Sequence, residues 1–198
     1  LVYAIAAAKK GNKVIGYSDD EELIKGLKQY KVPFYEPNII KELKKNEKNL
    51  QFTSKIRNLR KCKIIFFSYD VPTDKNNKIN FNFINKKLKS ILKNLNKSSE
   101  LVILSQVKPG FTRKIDWPKG KLHCMVETLI MGSALDKALS PERIIIGSNK
   151  KKIGKALKNF LSKFTKNIIN TSYESAELTK ISINLMLISS ITMTNVLS

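Results

Sequence analysis

Short apolar runs alternate along the chain with longer segments in which apolar residues recur at helical spacing. The short runs are typical of buried strands, because a strand covered on both faces needs no polar side. The longer segments are typical of helices that pack one face on a sheet. The predicted strands are residues 13–17, 50–54, 62–68, 101–105, 123–129 and 143–148, and the predicted helices are residues 1–10, 21–30, 38–46, 82–95, 151–163 and 173–197.

This alternation predicts an α/β fold with a mostly parallel sheet, covered by helices on both faces. In such sheets ligands bind at the carboxyl ends of the strands. Polar or turn-forming residues stand at these ends, in loops 18–20, 69–78, 106–113 and 127–133. We therefore expect a ligand site along this edge of the sheet.

The first residues resemble the second half of a dinucleotide-binding βαβ unit. A helix ends at Gly11, a buried strand follows, and acidic residues come directly after that strand. The first strand and the glycine-rich turn of such a unit would precede Leu1. We therefore expect a fragment without that turn, which binds a dinucleotide weakly at most.

Composition narrows the classes of function. The formal charge is +21, but it comes almost entirely from lysines spread along the chain, and arginine occurs at four positions only. Nucleic-acid readers depend on arginine for bidentate contacts, so we do not expect nucleic-acid binding. Two cysteines make no disulfide framework, which favours a reduced, cytoplasmic setting. The single histidine gives little support to a metal site or a catalytic triad.

The last predicted helix carries an ammonium and an amide inside a mostly apolar run, "ESAELTKISINLMLISS". Lys180 and Asn184 are four residues apart, so they share one face of the helix. Residues 181–197 are apolar enough to raise the question of a membrane span. Their Ser, Thr and Asn content favours a buried or subunit-contacting helix instead, so we expect no membrane.

A set of short motifs gives the chain a specific resemblance. In order, it contains "KGNKVIGYSDD", "VPFYEP", "FTS", "IIFFSYDVPTD", "LVILSQVKPGFTR", "ETLIMGSALDKALSPERIIIGS" and "SAELTKISIN". Together these motifs resemble the UDP-glucose/GDP-mannose dehydrogenase family over essentially all 198 residues.

The resemblance implies a domain organisation and an activity. Residues 1–172 would be a Rossmann-like NAD-binding domain, and residues 173–198 would begin a central helical domain through which the protein forms a homodimer. The family oxidises the C6 alcohol of a nucleotide sugar to a carboxylate in two hydride transfers to NAD. Its aldehyde-trapping Cys would lie beyond residue 198, since neither cysteine of this chain matches it.

The resemblance also assigns cofactor-binding positions. The ribose-binding acid at the end of the second strand of the family falls on Ser18, with Asp19 one place later. Gln106 matches a loop threonine near the nicotinamide. Without the resemblance, Asp19 reads equally well as a solvated turn acid.

Three positions match the catalytic residues of the family. Lys180 and Asn184 match the lysine and asparagine that stabilise the oxyanion at C6. Glu127 matches the first acid of the family's substrate loop. Met131 replaces the second acid of that loop. Two structural alternatives stay open: Lys180 extends its stem outward from a helix surface, and Glu127 caps a following helix.

The functional alternatives differ in class. The first is an NAD-dependent nucleotide-sugar dehydrogenase, and the second is a non-catalytic relative that binds a dinucleotide or a partner, which Gln106 and Met131 favour. A 3-hydroxyacid or phosphogluconate dehydrogenase relative would not explain "ETLIMGSAL". If the first holds, the Glu127 carboxylate and the Lys180 ammonium should lie within one hydrogen bond or one bridging water, near Gln106, and Asn184 should face the same cleft.

Overall fold

The computed structural model describes residues 1–72 and 80–198, so Asp74 and most of the predicted loop 69–78 lie outside the described residues. The α-helices are α1 (Val2–Lys9), α2 (Glu21–Lys28), α3 (Ile39–Lys45), α4 (Phe81–Leu92), α5 (Ala134–Leu139), α6 (Lys155–Leu161) and α7 (Tyr173–Leu197). The strands are β1 (Val14–Tyr17), β2 (Leu50–Thr53), β3 (Ile64–Phe67), β4 (Glu100–Ile103), β5 (Leu122–Met125), β6 (Ile144–Ser148) and β7 (Ile168–Thr171).

The described strands form two sheets. The larger sheet has the order β3-β4-β5-β6-β7, and all its neighbours are parallel except β5 and β6. The smaller sheet is the parallel pair of β1 and β2. Ile15 and Tyr17 of β1 nevertheless pack against the core of the larger sheet. The predicted mostly parallel α/β fold is confirmed, although its strands do not join in one ladder.

Residues of β4 show why both faces of the larger sheet are covered. Successive side chains of a strand point to opposite faces. Leu101 and Ile103 belong to the core that contains the apolar side of α4, whereas Val102 belongs to the core that contains α6. A third core joins the smaller sheet to the first three helices and α5. Burial on both sides explains why the residues of β4 that follow Glu100 are all apolar.

The first helix ends as its sequence predicts. Gly11 adopts a φ of +79°, a left-handed conformation in which glycine carries no steric cost. The N–H of Gly11 donates to the carbonyl of Ala8 at 2.9 Å, and the N–H of Asn12 donates to Ala7 at 3.1 Å. This pair of bonds is a Schellman motif, which turns the chain directly into β1.

The long helix α7 is unbroken, as predicted, and its first turns pack closely on the sheet. The Ser172 side chain caps it by accepting from the N–H of Ser175 at 3.2 Å. Gly147 of β6 permits the close approach, because a Cβ there would lie 2.7 Å from the carbonyl oxygen of Ser172 and 2.9 Å from Ala176. The helix is therefore anchored at its start, beside β5 and β6.

Of the two expectations for α7, a buried or a subunit-contacting helix, burial within the described part of this chain is wrong. Only Tyr173, Ala176 and Glu177 are buried, and apart from the half-buried Ile181 the large apolar side chains from Leu178 onward are exposed. Nothing in the described part of the chain covers them. By length and composition, α7 is the one described helix that could cross a membrane.

Candidate active site

One face of α7 contacts the loops that follow β4 and β5. Glu174, Glu177, Lys180 and Asn184 are spaced three or four residues apart, so they project from the same side over successive turns. Each of the four side chains bonds to a residue of one of those loops. Because β4 and β5 are parallel neighbours, both loops leave the sheet at the same edge. The helix thus spans the edge at which we predict a ligand site.

Lys180 reaches the loop after β5. Its half-buried ammonium donates to the backbone carbonyl of Glu127 at 2.9 Å. Of the two predicted contacts with the Glu127 carboxylate, a direct hydrogen bond or one bridging water, the direct bond is absent, and Lys180 forms no ion pair within the described ranges. The reason is that β5 ends at Met125, so Glu127 lies in the loop rather than in the strand, with its carbonyl towards α7. The alternative in which Lys180 extends outward into solvent does not agree with this contact.

The carboxylate of Glu127 instead lies near the start of the chain, where its charge affects Tyr3. Burial raises the pKa of the Tyr3 hydroxyl in the first turn of α1, and the negative charge of Glu127 adds to the rise. The N-terminal end of α1 therefore lies at the same edge as the loop after β5.

Asn184 reaches the loop after β4, one turn beyond Lys180. Its side-chain nitrogen donates to the side-chain oxygen of Gln106 at 2.8 Å. Gln106, Glu177 and Lys180 also line one narrow cleft, together with Cys124 and Met125 at the end of β5. The structure thus brings Gln106, Lys180, Asn184 and the backbone of Glu127 together across a sequence separation of up to 78 residues.

Ser18 and Asp19 form a separate group at the end of β1. The carboxylate of Asp19 pairs with Lys87 of α4 and accepts a hydrogen bond from the Tyr69 hydroxyl at 3.2 Å. The bond from Lys87 is the main cause that lowers the pKa of Asp19. The Ser18 hydroxyl accepts from the N–H of Asp20 at 3.2 Å. Neither residue bonds to Gln106, Glu127, Lys180 or Asn184 within the residues described.

Two buried carboxylates at this edge, Glu177 and Glu36, were not predicted from the sequence. Glu177 accepts from the backbone N–H groups of Gly110 and Thr112 at 2.6 and 2.7 Å. Glu36 accepts from the N–H groups of Gly132 and Leu135 at 2.8 and 3.2 Å. The one available signal was an acid in an apolar helix, a turn before Lys180. The loop that Glu36 holds also carries Met131, whose side chain is 87% exposed.

The single histidine lies away from this site. His123 of β5 is fully buried, and its Nε2 lies 2.9 Å from the carboxylate of Glu100 in β4. Across residues 1–72 and 80–198, no group of three His, Cys, Asp or Glu side chains is arranged to hold a metal ion. Cys124 is buried and Cys62 half-buried, and both are free thiols.

Residues 1–165 match a known family, described as the UDP-glucose/GDP-mannose dehydrogenase family, NAD binding domain. The chain belongs to the UDP-glucose/GDP-mannose dehydrogenase family. NAD is the cofactor of the matched domain, so residues 1–165 correspond to the NAD-binding domain of an oxidoreductase family.

Two curated relatives match this chain over almost its whole length. UDP-glucose 6-dehydrogenase TuaD of Bacillus subtilis is 30% identical over 98% of this chain and 45% of its own length. UDP-glucose 6-dehydrogenase of Pseudomonas aeruginosa is 24% identical over 98% of this chain and 47% of its own length. The chain thus spans about half the length of these two relatives.

Solved structures share the fold. GDP-mannose dehydrogenase from Pseudomonas aeruginosa, crystallised as a ternary complex, has a TM-score of 0.87 at 21% identity, over 98% of this chain and 49% of that one. UDP-glucose dehydrogenase from Pyrobaculum islandicum has a TM-score of 0.82 at 20% identity, over 94% of this chain and 46% of that one. At these identities the likeness shows the fold of this dehydrogenase-family chain and not its substrate.

Proposed function

We propose that the protein containing this chain oxidises the C6 alcohol of a nucleotide sugar to the carboxylate, with NAD as the oxidant. The observation that carries the proposal is the polar face of α7, which brings an ammonium and an amide to the loops after β4 and β5 in a chain of this family. The nucleotide sugar is the substrate class of the proposal, and a further domain would supply the rest of its binding site.

Lys180 and Asn184 have the chemistry to stabilise an oxyanion at the reacting carbon. The ammonium is held in place by the Glu127 carbonyl, and it has further N–H groups to donate. The Asn184 amide has a second N–H besides the one that Gln106 accepts. Half-buried donors fixed on a rigid helix oppose developing negative charge without moving.

Glu127 is the proposed general acid and base. Its carboxylate is not tied up by Lys180, because the lysine takes the backbone carbonyl instead. A half-buried carboxylate beside an oxyanion site can remove a proton from the attacking water. The alternative role as a helix cap has less support, because Glu36 takes the two N–H groups near the start of α5.

Ser18, Asp19 and Gln106 are the proposed cofactor-binding residues. Asp19 is exposed at the carboxyl end of β1, and Lys87 favours its ionised form, so it can accept hydrogen bonds from a ribose diol. The N-terminal end of α1 lies at the same edge, where a helix favours phosphate groups. The residues present therefore fit NAD, which supplies hydride acceptance when it is bound.

The test is turnover by the complete gene product with UDP-glucose and GDP-mannose, followed by the absorbance of NADH. We expect Lys180→Ala to lower kcat by about 10²- to 10³-fold with a much smaller change in KM, because oxyanion stabilisation acts mainly in the transition state. The matched control is Lys158→Ala, which removes an exposed lysine of α6. Equal turnover of the two variants would refute the role of Lys180.

A non-catalytic relative is the second candidate. Two departures from the family pattern favour it: Gln106 takes an N–H of Asn184, and the side chain of Met131 is exposed where the family has an acid. This candidate predicts that the complete gene product binds NAD or a nucleotide sugar in a calorimetric titration but turns over neither sugar.

The proposed assembly and location follow from the same features. We assign residues 1–172 to the NAD-binding domain and residues 173–198 to the start of a helical dimerisation domain, in which α7 pairs with a second copy. The exposed apolar side chains of α7 support an interface between copies. Free thiols and a pairing of NAD with a nucleotide sugar suit the cytoplasm. We propose neither a membrane nor a nucleic acid as a partner.

A further inference from the structure

Glu177 is a buried acid whose partners are backbone groups of one loop. Its side chain belongs to a residue that is only 4% exposed. Its two carboxylate oxygens accept from the N–H of Gly110 at 2.6 Å and from the N–H of Thr112 at 2.7 Å. A buried carboxylate is unstable unless it is paired or well hydrogen-bonded. Glu177 has no ion-pair partner within the described ranges, so the loop supplies its stabilisation.

The loop is shaped to present both donors to one point. Gly110 has a φ of +84°, which glycine adopts without strain. This conformation turns the chain between the two donating N–H groups. Successive backbone N–H groups in such a turn form a concave site for an anion. Here the anion is a side chain of α7.

The same loop is held by α7 at two further points. The guanidinium of Arg113 forms a bidentate pair with Glu174, one turn before Glu177, at 2.5 and 2.9 Å. At the other end of the loop, Gln106 accepts from Asn184, two turns after Glu177. Of the three contacts, only that of Glu177 is buried and made to the backbone.

We propose that Glu177 is the positioning residue that sets the register of loop 106–113 on α7 and thereby holds Gln106 against Asn184. The two backbone bonds fix the middle of the loop relative to the helix, and Gln106 lies four residues before the first of them. The importance of this position for catalysis rests on the proposed function. The contacts themselves do not.

Amide hydrogen exchange of the 198-residue chain, measured by NMR, tests the positioning. The variant Glu177→Gln keeps the shape of the side chain, but it replaces one acceptor oxygen with a donor that faces a backbone N–H. We expect exchange at Gly110 and Thr112 to accelerate about tenfold or more, with amides of β4 and β5 unchanged. The contact between the Gln106 and Asn184 side chains should weaken in the nuclear Overhauser spectrum.

The matched control is Glu174→Gln, which breaks an exposed pair between the same helix and the same loop. We expect little change at Gly110 and Thr112 in this variant. Unchanged protection, or an intact Gln106–Asn184 contact in Glu177→Gln, would overturn the proposal. Should that variant not fold, the wild-type chain decides: Gly110 and Thr112 amides that exchange as fast as the amide of Gly120 would overturn it equally.

A kinetic readout separates this proposal from the proposed function. In the complete gene product, Glu177→Gln should lower kcat about tenfold while KM changes little, because a misplaced amide affects mainly the transition state. Wild-type protein without turnover on any nucleotide sugar would refute the proposed function and leave the exchange result standing. An active wild type with an equally active Glu177→Gln would refute the catalytic importance of Glu177 alone.

Discussion

Removing the carboxylate of Glu36 should destabilise the protein measurably. Glu36 is 6% exposed, and its two oxygens accept from the N–H groups of Gly132 and Leu135. Leu135 lies in the first turn of α5, whose N-cap residue Ser133 makes no capping bond with its side chain. Glu36 therefore caps this helix from a loop almost a hundred residues earlier in the chain.

The magnitude follows from the two bonds. A hydrogen bond to a charged group contributes about 1.5–3 kcal/mol, and a helix cap contributes about 1 kcal/mol. Water can reach part of the freed N–H groups, since Gly132 is exposed. We therefore expect Glu36→Ala to lower the free energy of unfolding by about 2–4 kcal/mol, and Glu36→Gln to lose about half as much because one acceptor oxygen remains.

Urea unfolding, followed by the fluorescence of the buried Trp117 and by circular dichroism, measures this loss. The matched control is Glu142→Ala, because the Glu142 side chain is 81% exposed and forms only a long pair with Arg143. The control should stay within about 0.5 kcal/mol of the wild type. A Glu36→Ala variant as stable as this control would refute the reasoning.

Two further predictions concern pH and association. Burial lowers the pKa of His123 below its ordinary value of 6.5, against the opposing effect of Glu100. The resulting stability is therefore complete above pH 6.5 and is lost as the pH falls through the folded-state pKa, so the urea midpoint should drop between about pH 7.5 and 5.5; His123→Gln should flatten this slope, and an unchanged slope would contradict the assignment. The chain should also self-associate through α7 in sedimentation experiments, and Met186→Lys should weaken association more than Ser189→Lys, which adds the same charge at a polar position; a monomer that floats with phosphatidylcholine vesicles would instead favour a membrane contact.

The elements were predictable because a strand or helix that is buried needs a regular pattern of apolar residues in its own sequence. The apolar runs place the six predicted strands within a few residues of β1 to β6, and the long helix was predicted over its whole length. Strand direction could not be predicted, because parallel and antiparallel buried strands have the same apolar pattern. The antiparallel pairing of β6 with β5 therefore had no signal. The end of β5 was also misplaced, since the loop after it begins with an apolar residue, Val126, whose N–H still bonds to Ile145.

The site was predictable only where side-chain spacing carries the information. Lys180 and Asn184 are four residues apart on a helix, so their common face follows from helix geometry. The acceptor of Lys180 did not follow, because every residue offers a backbone carbonyl. The same holds for Glu36 and Glu177, whose partners are backbone N–H groups 65–99 residues away in sequence. Contacts between an acid and the backbone leave no pattern in the residues that donate.

The mixed sequence of α7 now has a physical explanation. The loops after β4 and β5 expose backbone N–H and C=O groups at the edge of the sheet, and such groups need polar partners wherever they are covered. An apolar helix face could not cover them, so α7 places Glu177 against backbone N–H groups and Lys180 against a backbone carbonyl. Glu174 and Asn184 of the same face bond to the side chains of Arg113 and Gln106 in these loops. Substitutions on the polar face should therefore displace the loops and lower turnover. Substitutions at apolar positions such as Met186 should change self-association alone.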